Sequence, residues 1–149
     1  RSSYMPDPLP EMGQHIIRWA VQPHLGDCSV SEATRAGWAY NAPFSVASTD
    51  AHTGEEPAAQ GFIRCETDNV MLASVKRAED SDALILRLYE MEGRAVRAAV
   101  RLSRVAPENA PAVETDILEQ PLEKSTASYA GGLLEVDVPA YGVVTVKVG

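Results

Sequence analysis

Histidine, cysteine and basic residues are all scarce in this chain. It has 3 His and 2 Cys among 149 residues. Cys28 and Cys65 make neither a disulfide framework nor a zinc motif. Each reads as a small buried hydrophobe or a free thiol, with a single bridge between them left open. His15, His24 and His52 form no His-x-His, His-Glu-x-x-His or His-x-Asp pattern. His24 and Asp27 come nearest to a metal pair, but a catalytic zinc takes three protein ligands. His24 is read as bonding locally and His52 as solvated. No run approaches ~18 consecutive apolar residues, which excludes a membrane-spanning helix. Lys plus Arg total 13 against 21 Asp plus Glu, a net charge of −8. Such a surface repels phosphate backbones and anionic lipid, so neither nucleic acid nor membrane is an expected partner. There is no Asn-x-Ser/Thr sequon and no signal peptide. The first residue is Arg1, and Pro6, Pro8 and Pro10 follow closely, so the chain is expected to be cut from something longer.

What is present suits a folded domain. Apolar residues are 45% and charged ones 23%, which excludes disorder as the main state. A chain this long buries roughly 68–70% of its unfolded surface. His15–Gln22 alternates, with Ile17, Trp19 and Val21 on one side, and predicts a half-buried strand ended by Pro23. Ser29 and Glu32 form a capping box, predicting a helix that stops before Pro43. Residues 48–60 are polar and read as a linker. Beyond them the pattern is β. Strands are predicted over Phe62–Glu66, Val70–Lys76, Leu84–Tyr89, Val96–Leu102, Val113–Leu118, Leu133–Val138 and Val144–Val148. Leu84–Tyr89 and Val96–Leu102, separated by Glu92-Gly93, read as a hairpin with a charged outer face. The expected fold is all-β: an antiparallel β-sandwich with one short helix in the N-terminal third.

Self-contained chemistry is hard to find. There is no Gly-x-Ser-x-Gly elbow and no phosphate-cradling glycine loop; Gly131-Gly132 reads as a turn. Cys28 precedes a helix start, where a thiolate is stabilised, and His24 is four residues away, but no third group orients them. Glycoside chemistry needs two carboxylates. Asp80, Asp82, Glu90, Glu92, Glu114, Asp116, Glu119 and Glu123 fall on predicted turns and outer faces and read as solvated. Among the aromatics, Trp19 and Trp38 read as core. Tyr129 and Tyr141 sit at turns and are candidates for exposed sugar-stacking platforms.

Three segments carry a resemblance. Arg1–Pro8, Met12-Gly13-Gln14-His15 and Val21-Gln22-Pro23-His24-Leu25-Gly26-Asp27 lead into a helix ending at Asn41-Ala42-Pro43. Val75–Glu90, the most specific stretch, and Glu135–Val148 follow. Together they resemble the C-terminal region of glycoside hydrolase family 38 α-mannosidases. The chain departs from that family at Ile16-Ile17-Arg18-Trp19, where an aromatic-rich strand is usual. Residues 48–60 and 105–130 are not diagnostic.

The resemblance implies a parent enzyme that hydrolyses α-mannosides with retention. Its nucleophile, its acid/base and a zinc held by His and Asp belong to an N-terminal barrel. No catalytic residue carries over to this chain, and no cofactor is expected in it. Residues 1–47 would be the tail of a large β domain, 48–60 a linker and 61–149 the C-terminal β-sandwich. The expected partners are the catalytic domain of the same polypeptide, mannose-containing carbohydrate and further copies of the chain. Arg1, Asp7 and His15 are the candidates for contact with the active-site region. A cytoplasmic, bacterial-type location is expected, since nothing indicates a disulfide framework. The alternatives are a free-standing carbohydrate-binding module using Tyr129 and Tyr141 and, more distantly, a thiol enzyme using Cys28 and His24.

Overall fold

The structure, a computed structural model, describes residues 12–149. One helix, α1 (Val30–Asn41), precedes eight strands. These are β1 (Ile63–Cys65), β2 (Val70–Arg77), β3 (Leu84–Glu90), β4 (Val96–Leu102), β5 (Ala112–Thr115), β6 (Ser128–Ala130), β7 (Leu133–Val138) and β8 (Val143–Val148). They form two four-stranded antiparallel sheets, ordered β1-β4-β7-β6 and β2-β3-β8-β5. The expected sandwich is therefore what the chain folds into.

Period-two alternation builds the core. Leu86 and Leu88 of β3 and Val144, Val146 and Val148 of β8 meet Ala98, Val100 and Leu102 of β4 and Leu134, Val136 and Val138 of β7 in one cluster. Successive residues of a strand point to opposite faces, so each strand gives every second side chain to this layer.

The helix forms where its capping box predicts. The Ser29 hydroxyl accepts from the Glu32 amide at 3.1 Å, satisfying one of the orphan N–H groups of the first turn. Asn41 is its last residue, ahead of Pro43.

Three strand expectations fail. His15–Gln22 forms no strand, and Ile17 and Trp19 are 83% and 78% exposed. Trp38 is also exposed rather than in the core. The apolar alternation is real, but no neighbouring strand among the described residues supplies hydrogen bonds, and an unpaired strand is unstable in water. Secondly, β5 stops at Thr115. The Asp116 carboxylate accepts from the Leu118 and Gln120 amides, both at 2.9 Å, and folds the chain into a turn. Thirdly, β3 and β4 are not a hairpin; they lie in different sheets. The short strand β6 was not predicted at all.

Glu90 accounts for the lost hairpin. It was read as solvated, yet it is only 3% exposed. Its carboxylate accepts from the Glu92 and Gly93 amides at 2.7 and 2.6 Å, just where the chain leaves β3 for the other sheet. It also accepts from the Asn69 side chain at 2.8 Å and the Tyr141 amide at 2.9 Å. Tyr141 lies in the turn between β7 and β8, another of the five places where the chain changes sheets. One buried carboxylate thus fixes two of the sheet-switching corners. Burial pushes its pKa up, but the bonds from Tyr141, Glu92, Asn69 and Gly93 outweigh this and bring it down to about 2. Gly93 is at φ 76°, and a Cβ there would meet the Tyr141 ring at 2.6 Å.

Candidate functional site

The sequence-derived candidates do not converge. Arg1 and Asp7 lie outside the described residues. His15 is exposed, in a segment without regular structure. Tyr141 is exposed as expected. Tyr129 is not: it packs against the core from β6, and its hydroxyl is buried without a hydrogen-bond partner. Burial and the nearby Glu108 raise its pKa. This removes Tyr129 as a stacking platform.

His24 and Cys28 do come to one place. With Arg18, Trp19, Glu32 and Tyr40 they line a cavity of about 500 Å³ between the N-terminal segment and α1. Each bonds locally. His24 Nδ1 lies 3.0 Å from the Gly26 carbonyl oxygen, and the Cys28 thiol donates to the Ser29 carbonyl at 3.6 Å. The geometry engages neither residue with the other, so it supplies no activated nucleophile. Both cysteines are free thiols. Cys65 is part-buried, and burial pushes its thiol pKa up.

Most carboxylates are tied into the scaffold. Glu119 accepts from Lys76 Nζ at 2.6 Å and from the Glu79 amide at 2.9 Å, anchoring the loop after β5 across the second sheet. The Lys76 ammonium, then the Glu79 amide, lower its pKa. Glu92 accepts from the Ser31 hydroxyl at 2.6 Å, and this bond, then Arg94, lowers its pKa. That bond and a longer one from Arg35 to the Val70 carbonyl at 3.4 Å tie α1 to the sandwich.

Among the described residues no three His, Cys, Asp or Glu side chains come together as a metal cluster. The residues described do not fit a catalytic zinc, which takes three protein ligands.

The feature that stands out is apolar exposure before the sandwich. Ile16, Ile17, Trp19, Val21 and Leu25 precede α1, and Phe44 and Val46 follow it; all are exposed, Phe44 at 96%. Single exposed apolar residues are ordinary, but a concentration of them marks an interaction surface.

Two four-stranded antiparallel sheets packed on one core, with the buried Glu90 carboxylate at a corner between them, define a β-sandwich domain. The chain belongs to glycoside hydrolase family 38: the family described as "Glycosyl hydrolases family 38 C-terminal beta sandwich domain" matches residues 69–146. It is similar to Alpha-mannosidase G of Dictyostelium discoideum, with 29% identity over 64% of this chain and 9% of that protein. It is also similar to Alpha-mannosidase 2C1 of Homo sapiens, 30% identical over 81% of this chain and 11% of that protein. Against Alpha-mannosidase 2C1 of Mus musculus the identity is 31% over 80% of this chain and 11% of that protein. The chain thus spans about a tenth of the length of these curated relatives.

The Glu90 corner and the Glu119 anchor were missed in the sequence. Neither carboxylate differs from a surface Glu in spacing or neighbours, and only the crossing of the chain between sheets reveals them.

Proposed function

We propose that this chain is the non-catalytic C-terminal β-sandwich portion of a retaining α-mannosidase, and that its work is to support the catalytic barrel. Residues 1–47 would be the tail of a preceding β domain and 61–149 the terminal sandwich, with 48–60 between them. The observation that carries the reading is the exposed apolar set Ile16, Ile17, Trp19, Val21, Phe44 and Val46. A domain that folds around its own core while leaving such a segment uncovered is built to lie against something else. The similarity to about a tenth of two α-mannosidases supplies the something else: the rest of one polypeptide.

In this reading the glycosidic chemistry, and the zinc the family resemblance implies, belong to the part outside this chain. The sandwich covers apolar surface there and holds the edge of the cleft in place. Covering the segment is also what prevents self-association, so the chain alone is expected to form oligomers. A cytoplasmic location belongs to the same proposal and is supported by the two free thiols.

The test is made in the longer polypeptide that contains this chain. Ile17→Asp and Trp19→Asp should lower its melting temperature and its turnover of an aryl α-mannoside, while leaving the melting temperature of the isolated chain unchanged. Unchanged turnover and stability in the longer protein would remove the support role. Cleavage of the aryl mannoside by the isolated chain would overturn the non-catalytic reading.

A further inference from the structure

The outer face of the second sheet carries a row of three polar residues. Arg87 of β3 is the register partner of Thr145 of β8, and Thr145 is the partner of Thr115 of β5. Register partners project from the same face of a sheet. The row therefore runs straight across three strands, away from the core. Arg87 Nε donates to the Thr145 hydroxyl at 3.2 Å, which fixes the guanidinium along the sheet. No carboxylate is paired with Arg87 among the ion pairs of the described residues. Thr115 is 5% exposed, and its hydroxyl makes no hydrogen bond. An unmade bond at a buried hydroxyl is costly, and native proteins keep few of them.

A cavity of about 290 Å³ lies over this row. Arg87, Thr115 and Thr145 line it, Asp116 stands at its rim, and Ile117 and Leu122 of the anchored loop form an apolar wall. Asp116 is held rigid because one carboxylate oxygen accepts from the Leu118 and Gln120 amides. Glu119, bonded to Lys76 and to the Glu79 amide, keeps the loop in place. The loop that walls the site is thus anchored, while the Thr115 hydroxyl lies buried beneath the cavity floor and meets a ligand only as the cover above it shifts.

The geometry points to a carbohydrate-binding site here, sized for a single neutral hexose unit. A cation would face Arg87, and an anion would face Asp116. A polyol avoids both penalties, since each hydroxyl donates and accepts at once. One hydroxyl accepts from the guanidinium while its neighbour donates to Asp116. A third bonds the Thr115 hydroxyl, giving that group its missing partner. The C–H face of the ring lies against Ile117 and Leu122. This combination, an apolar wall with a few fixed polar groups, is what small-ligand sites share. The proposal is independent of the support role: the row lies on the far side of the second sheet, formed wholly within residues 87–145, and would bind whether or not the N-terminal segment docks.

Titration of the isotope-labelled 149-residue chain with methyl α-mannopyranoside, followed by amide NMR, tests it. Saturable shifts should centre on Thr115, Asp116 and Thr145, with affinity in the millimolar range expected of a small shallow contact. Arg87→Ala and Thr115→Val should each weaken binding by about tenfold, equivalent to one lost hydrogen-bonding partner. Thr115→Val has a second signature. It removes a hydroxyl that is unsatisfied without ligand, so the free protein should melt at the same temperature or higher even as binding falls. The absence of saturable shifts, shifts with L-leucine in place of the hexoside, or full binding by Thr115→Val would each overturn the proposal.

Discussion

Leu88→Ala and Ile17→Ala separate the parts of the chain that hold the fold from the part that does not. Leu88 is 0% exposed and belongs to the cluster shared by both sheets, with Leu72 and Val144 as its register partners. Truncation there loses the transfer energy of the side chain and leaves a cavity between two rigid layers, costing about 2–5 kcal/mol. For a sandwich of this size that corresponds to a fall in melting temperature on the order of 10–30 °C. Ile17 is equally apolar but 83% exposed. Its truncation in the isolated chain should change stability by less than about 0.5 kcal/mol. Thermal and urea unfolding followed by far-ultraviolet circular dichroism measure both. A loss at Ile17→Ala comparable to that at Leu88→Ala would mean that the N-terminal segment packs into the core. A loss at Leu88→Ala within a few tenths of a kcal/mol would mean that the two sheets do not share one core.

Glu90→Gln tests the corner. The folded pKa of Glu90, about 2, lies below its ordinary 4.5, so its stabilisation is present above pH 4.5 and is lost as pH falls from there toward 2. The variant should be less stable than the parent chain at pH 7, with the gap closing by about pH 2; a gap of constant size across pH-dependent urea titrations would refute the assignment. Gly93→Ala should destabilise by about 2–4 kcal/mol, because it combines a left-handed backbone with an overpacked contact, and calorimetry showing an unchanged melting temperature would contradict this. Iodoacetamide should label Cys28, which is exposed, well before Cys65, whose thiol burial keeps protonated; mass spectrometry finding the reverse order would mean that the helix N-terminus is covered.

The strands of the sandwich were legible because both faces obey local rules. Leu134, Val136 and Val138 alternate with Glu135 and Asp137, and Leu84, Leu86 and Leu88 alternate with Ile85, Arg87 and Tyr89; that periodicity holds whichever strand lies alongside. The capping box at Ser29 was legible for the same reason: donor and acceptor lie three residues apart. Pairing was not legible. The turn at Glu92-Gly93 has the composition of a hairpin, and the chain changes sheets there because Glu90 collects the amides of Glu92 and Gly93 together with that of Tyr141, far along the sequence. Burial was also misread wherever alternation lacked a partner. Trp19 has the setting of a core aromatic, but the surface that would cover it is supplied by nothing among the described residues. The Arg87–Thr145–Thr115 row lay beyond sequence reading altogether, since it is assembled by register across three strands.

The most direct test of the support role is hydrogen–deuterium exchange over residues 15–46, compared between the isolated chain and the longer α-mannosidase-like polypeptide that contains it. The account predicts rapid exchange of residues 15–25 in the isolated chain and marked protection of the same peptides in the longer protein, with β3, β4, β7 and β8 protected in both. Equal exchange of residues 15–25 in the two proteins would contradict it, because the exposed apolar segment would then have no partner to cover it.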